Sequence, residues 1–285
     1  DLATRALPGA SPEDRFELLG HLVEAQRLRG ELRAALAAAE EMRALADDKR
    51  RPHVLRRIGE LLAARGDHRA ALDALEEALG ALAALPDESE ALPERALVLA
   101  AMAEVAYAQG DLESAQRFAD DSLGAAPQAP MAFHLRVANT LDKVSFARER
   151  FEDAEARFLH NLRLAEEHGL DHEAVLARMN AGLAKHRRGQ ADEARDMLER
   201  ALSSARAIGD LHNEAFALLN LGTIYQRTDE PGRALDSYRA ALTRFSRLGN
   251  RAEVRRVTWN LANLSCAIGD YAGAQNFLEA SRHLS

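Results

Sequence analysis

Three asparagines, Asn180, Asn220 and Asn260, recur 40 residues apart, and each is followed by an apolar and then a small residue: Ala181-Gly182, Leu221-Gly222 and Leu261-Ala262. An amide side chain both donates and accepts, so a row of such residues can pair with the peptide units of an extended chain without reading its side chains. Residues at spacings of 4, 3 and 4 share one side of a helix. Around the asparagines those stripes are Leu176-Asn180-Leu183-Arg187, Phe216-Asn220-Thr223-Arg227 and Arg256-Asn260-Asn263-Ala267. An earlier stripe, Arg136-Thr140-Lys143-Ala147, adds cations, and the positions nearer the N-terminus read Glu17-His21-Glu24-Leu28, His53-Arg57-Glu60-Ala64 and Leu97-Ala101-Glu104-Ala108. The residues one and four after each asparagine, such as Leu221 with Ile224 and Leu261 with Leu264, are apolar and must face neighbours, which leaves the asparagine stripe open.

Other chemistry is sparse. The chain carries no phosphate-binding glycine-lysine loop, no dinucleotide fingerprint, no HExxH pair and no GxSxG elbow. Its three lysines, Lys49, Lys143 and Lys185, stand in no catalytic setting. His168 and His172 are four apart, a spacing that would pair them on a helix as metal ligands. Gly169 between them breaks that geometry, so both are expected as solvated histidines at helix ends, with no metal and no cofactor. Cys266 is expected to be buried filler, and no enzymatic activity is expected.

The elements that hold these stripes follow from the same period. An alanine recurs at Ala35, Ala71, Ala115, Ala154, Ala194, Ala234 and Ala274, five residues after a turn marked by Gly30, Gly66-Asp67, Gly110-Asp111, Gly189-Gln190, Asp229-Glu230 or Gly269-Asp270. Repeat four lacks the glycine and has Glu149-Arg150-Phe151 instead. Gly169, Gly209 and Gly249 fit the left-handed position that ends a helix, and Asp210 and Asn250 can cap the helix that follows. Ser11-Pro12-Glu13-Asp14 is a helix start, with Ser as cap and carboxylates in the first turn. The spacing predicts seven helix pairs over residues 12–48, 50–85, 92–126, 131–168, 171–208, 211–248 and 251–285, with 1–10 as the tail of a preceding repeat. Leu85 to Glu90 is expected as the longest loop, and Ala126 to Pro130 as a second irregular joint. A fixed period in this range marks a solenoid of stacked units.

The turn, the alanines and the aromatics four residues beyond Ala154 and Ala234, Phe158 and Tyr238, make the chain resemble the tetratricopeptide repeat family. Repeat six, with Leu221, Gly222, Tyr225, Ala234 and Tyr238, carries the pattern most fully. Two departures stand out: the first-helix tryptophan is missing, and the period exceeds the family's usual 34. Longer periods are similar to kinesin light chain and the Leu-Gly-Asn-repeat proteins, which bind extended peptides. The resemblance implies an all-α, right-handed superhelical solenoid in one domain. It also implies that the first helices line a concave groove, where an asparagine at this place holds a ligand's main chain or terminal carboxylate.

Composition bounds the partner. Apolar residues make up 47% of the 285 and aromatics 5%, so packing relies on Ala and Leu and favours closely spaced helices over a ligand-sized cavity. A net charge of −8 argues against nucleic acid. Up to Pro130 the net charge is −9 and beyond it +1, so the two parts present different surfaces. One cysteine fits a reducing compartment, no run is long enough to span a membrane, and a cytoplasmic location is expected.

At about 1 kcal/mol per hydrogen bond, three asparagines fall short of the roughly 8 kcal/mol that micromolar binding needs. Arg136, Lys143, Arg187, Arg227 and Arg256 would add charge, Phe216, Leu176, Leu183 and Trp259 apolar contact, and Asn263 a further amide. The expectation is a non-enzymatic scaffold, the recognition or sensory part of a larger cytoplasmic signalling protein, gripping an extended acidic peptide. The alternative is a regulatory sensor for a small signalling molecule or a short pheromone-like peptide. Apolar residues in the last helix, Phe277 and Leu278, add an expectation of self-association through the solenoid ends.

Overall fold

In each repeat the second helix buries the alanine that recurs with the period. Ala35, Ala71, Ala115, Ala154, Ala194 and Ala234 are wholly buried. A side chain longer than a methyl group there would hold the helices apart. Four residues on, one turn along the same face, sit Leu75, Phe158, Leu198 and Tyr238, all at most 1% exposed. The computed structural model describes residues 11–282, leaving aside the side chains of residues 28, 88–90 and 280–282. The reading of residues 1–10 as a preceding helix tail therefore lies outside the described residues.

Among these residues there are fourteen helices and no strand. They are α1 (Pro12–Leu28), α2 (Leu32–Leu45), α3 (Arg51–Arg65), α4 (His68–Ala83), α5 (Glu88–Gln109), α6 (Leu112–Ala125) and α7 (Met131–Ala147), then α8 (Phe151–Glu167), α9 (Asp171–Arg187), α10 (Ala191–Ala207), α11 (Leu211–Arg227), α12 (Pro231–Arg247), α13 (Arg251–Ala267) and α14 (Tyr271–Arg282). Internal contacts group them into two compact units that divide between Val144 and Ser145. In the first unit α1 packs on α2, α3 on α4 and α5 on α6, with α2 against α3, α4 against α5, and the first helices α3 and α5 side by side. Phe133, Val137 and Val144 of α7 close its core against Ala96, Ala103, Ala106, Ala115 and Ala119. In the second unit each helix from α8 to α14 packs on the next, and α9 lies beside α11.

The helix ends follow from their sequences. Ser11 caps α1 by accepting from the Asp14 amide, Asp210 caps α11 through the Asn213 amide, and Asn250 caps α13 through the Glu253 amide. Gly169, Gly209 and Gly249 take φ of 66°, 70° and 64°, the left-handed region where glycine carries no Cβ penalty. In repeat four Glu149 takes that conformation instead, at φ 61°, and the turn into α8 forms without a glycine.

Two expectations need correction. Leu85 to Glu90 is not a loop throughout, because α5 begins at Glu88 and runs through Pro93, which lies inside the helix. The extra residues of the 44-residue spacing are taken up mostly as helix. Cys266 is exposed rather than buried. Its 40-residue equivalents, His186 and Gln226, are partly buried polar residues near the ends of α9 and α11, so the exposure at Cys266 is particular to the last repeat.

Candidate functional site

The open face of the second unit is built by α9, α11 and α13. Leu221, Ile224, Leu261 and Leu264 are all within 2% of complete burial, so the helices are anchored on the side the pattern assigned to packing. Leu176, Asn180, Leu183, Phe216, Asn220, Thr223 and Asn260 are half-buried, while Arg187, Arg227, Arg256 and Asn263 are exposed. The asparagines differ from one another. Asn180 is already engaged within the fold. The side-chain amides of Asn220 and Asn260 make no hydrogen bond to the described residues, so their donors and acceptors are available.

The cations also sort into two groups. Several of the second unit are fixed by carboxylates that tie helices together. Glu214 is 4% exposed and accepts from Arg206 at 3.0 Å and Arg244 at 3.1 Å, joining the start of α11 to the ends of α10 and α12. Glu155 holds Lys185 at 2.9 Å and Arg188 at 2.5 Å. Burial pushes the carboxyls of both glutamates up, but their cationic partners more than reverse it and both end below the ordinary value. Arg178 is held by Glu166.

On the face itself the contacts are looser. Arg187 stacks over the Phe151 ring at 4.6 Å and lies 4.0 Å from Glu149. Arg256 pairs with Glu253 at 2.5 Å, and its guanidinium lies 5.7 Å from the centre of the Phe216 ring. Phe216 meets Phe245 edge to face at 5.0 Å, which fixes its ring. Arg227 has no ion-pair partner among the described residues, and its charge helps hold the His186 imidazole below its ordinary pKa, an effect led by burial.

Trp259 is 57% exposed, whereas Leu219 and Met179, one and two periods earlier, are 3% and 6% exposed. It belongs to the side that α9 and α11 bury in packing, one residue away from Asn260. His172 does not pair with His168. Its Nδ1 lies 2.8 Å from Asp210 Oδ2, and no group of three His, Cys, Asp or Glu among the described residues is placed to hold a metal.

Arg136 and Lys143 belong to the first unit, where the first-helix face is a depression of about 300 Å³. Its wall includes Glu60 and Ala63 of α3, His68 of α4, Leu97, Ala101, Glu104 and Ala108 of α5, and Arg136 and Thr140 of α7. Composition had argued against a ligand-sized cavity. The alanines themselves make it, because methyl groups along the facing helices leave the space a longer side chain would fill. Lys143 is held by Glu104 at 3.0 Å and lies over the Tyr107 ring at 4.9 Å. The depression's walls raise the Glu104 carboxyl by desolvation, yet Lys143 and the Thr140 hydroxyl lower it further, and it stays ionised.

Comparison with known proteins places this architecture. One tetratricopeptide repeat family model matches residues 173–247 and 213–282, and a second matches 52–77 and 96–121. Together the matches span more than half of the chain. The chain belongs to the tetratricopeptide repeat family. A search of curated proteins gave no match.

Among solved structures, this tetratricopeptide repeat chain is similar to the Rap conjugation gene regulator of plasmid pLS20 in complex with the Phr* peptide, at 16% identity and a TM-score of 0.72 over 94% of this chain and 73% of that one. It is also similar to a Rap protein complexed with competence and sporulation factor, at 14% identity and 0.61 over 96% and 98%. A third is the signal transduction ATPase with numerous domains from Pyrococcus horikoshii that has a tetratricopeptide repeat sensor, at 17% and 0.63 over 96% of this chain and 41% of that one. At these identities the likeness is one of fold.

Proposed function

We propose that this chain is a non-enzymatic peptide-binding scaffold whose second unit grips an extended acidic segment, as the recognition region of a larger cytoplasmic signalling protein. One observation carries the reading: the half-buried amides of Asn220 and Asn260 have no hydrogen-bond partner among the described residues, and the exposed guanidinium of Arg227, with no ion-pair partner among them, lies on the same helical stripe as Asn220. A half-buried amide without a partner loses part of its hydration and gains nothing in return, whereas a peptide unit laid across it restores both bonds. Phe216, fixed edge-on by Phe245, supplies an apolar contact on the same stripe. Arg187 is exposed and can exchange Glu149 for a ligand carboxylate at modest cost, since exposed ion pairs are worth about 0–1 kcal/mol, and Arg256 is exposed on the same face while it keeps Glu253. Lys143 is committed to Glu104, and it and Arg136 are not assigned to this face. One similar structure, the Rap conjugation gene regulator named above, is in complex with the Phr* peptide, which supports the reading by analogy.

Selection from a displayed library of random peptides tests it. Enriched sequences are expected to be rich in Asp and Glu, and to be lost when the same selection is run on Arg227→Glu. A library that enriches basic or uncharged sequences, or gives the same sequences on Arg227→Glu, would contradict the reading.

A further inference from the structure

The depression in the first unit is chemically unlike the asparagine face. Much of its lining is apolar: Ala100, Ala101, Ala103 and Ala108 with Leu97 and Val105 from α5, Ala63 from α3, and Val137 from α7. A volume of about 300 Å³ is at the small end of the range for small-molecule sites. No asparagine lies on its wall, so it lacks the groups that would follow a peptide main chain.

Its charges are mostly cancelled. Glu60 is held by Arg56 at 2.6 Å, and Glu104 by Lys143 at 3.0 Å. Arg136 is the exception. It is exposed, lies 5.8 Å from the centre of its own helix's Phe133 ring, and has no ion-pair partner among the described residues. An entering molecule therefore meets an apolar surface and one exposed cation with no direct ion-pair partner among the described residues, whose charge also acts on the Glu104 carboxylate.

We propose that this depression is a small-molecule site that takes a free monocarboxylic acid with a compact apolar body, its carboxylate at Arg136 and its hydrocarbon over the alanine floor. A guanidinium is suited to the carboxylate end, since its planar fork can donate two parallel hydrogen bonds to it. The methyl-lined floor is suited to the other end, since burying a hydrocarbon there removes apolar surface from water without displacing a hydrogen bond. The proposal is independent of the peptide reading, because none of these residues belongs to the asparagine stripe of the second unit.

Calorimetric titration of the 285-residue chain with the straight-chain acids from butanoate to decanoate and with phenylacetate, each beside its primary amide, tests it. Acids are expected to bind and their amides to bind about tenfold more weakly or not at all, as loss of a charge-assisted pair implies. Arg136→Gln should reduce acid binding by about tenfold and bring acid and amide to parity. Ala101→Leu, which fills the floor, should abolish binding of both. Ala108→Leu, at an exposed position on the same wall, repeats that test should Ala101→Leu lose its helical circular dichroism. Equal binding of acids and amides to the parent chain, binding unchanged by Arg136→Gln, or no acid bound at any chain length would each overturn the assignment. So would binding confined to peptides with a free carboxyl terminus, which would make the depression part of a peptide site.

Discussion

Asp210 joins two roles in one side chain. It caps α11 through the Asn213 amide and receives His172 Nδ1 at 2.8 Å, so it links the first turn of α9 to the start of α11. Burial alone would raise its carboxyl, but the bonds from His172 and Asn213 hold it at about 2. His172 is raised in turn, first by its bond to Asp210 and against some desolvation. The signs are opposite. The depressed Asp210 contributes stability that is present above its ordinary 3.8 and is lost as pH falls towards 2. The raised His172 contributes stability that is complete below 6.5 and fades as pH rises through its higher folded value. Asp210→Asn keeps a capping oxygen and removes the charge, so at neutral pH it should cost about 1–2 kcal/mol in denaturant unfolding, and near pH 2 close to nothing. His172→Ala should destabilise more near pH 5.5 than near pH 8.5. A pH-independent loss for either would mean that the pair contributes packing rather than charge. The capping role of Asp210 was legible from its place after Gly209, but the imidazole was not, because its partner lies 38 residues away across a helix pair.

Between helices, closeness is the constraint. A Cβ built on Gly222 would lie 2.6 Å from the Tyr238 ring, and one on Gly59 would lie 2.7 Å from Leu75, while on Gly182 the nearest approach is 3.1 Å to Leu198. Gly222→Ala should therefore cost about 1–3 kcal/mol through overpacking, and more than Gly182→Ala, as a pair of urea melts would show. Glu214→Ala, which leaves the partly buried Arg244 without its carboxylate and unties Arg206 where three helix ends meet, should cost about 1–3 kcal/mol. Equal melts for the two glycine variants would show that the Tyr238 ring gives way easily. The helix pairs were legible because a buried alanine and a left-handed turn are local demands, written at a fixed interval. Three features were not. The start of α5 depends on whether a proline inside the helix is tolerated, and the exposure of Cys266 depends on what surrounds it. The depression exists because alanine methyl groups from α3 and α5 face one space beside α7, and in the sequence such alanines look the same as those buried between helices.

For the molecule as a whole, stacking of repeats means that each unit draws its stability from its neighbours and that disturbance should stay local. Gly222→Ala should accelerate amide exchange in α11, α12 and the helices packed on them while leaving α1 to α4 unchanged. Uniform acceleration along the chain would instead indicate one cooperative block. No helix among the described residues is long and apolar enough to cross a membrane. The proposed function rests on the first-helix face of the second unit, and the side-chain amides of Asn220 and Asn260 are its most exacting probe. Their NH₂ resonances, assigned by comparison with Asn220→Ala and Asn260→Ala, can be followed while an acidic peptide from the library is added at low salt. Saturable shifts of both signals, with weaker binding to either variant and at high salt, are the predicted result. A peptide that binds the chain while both amide signals stay in place would contradict the account.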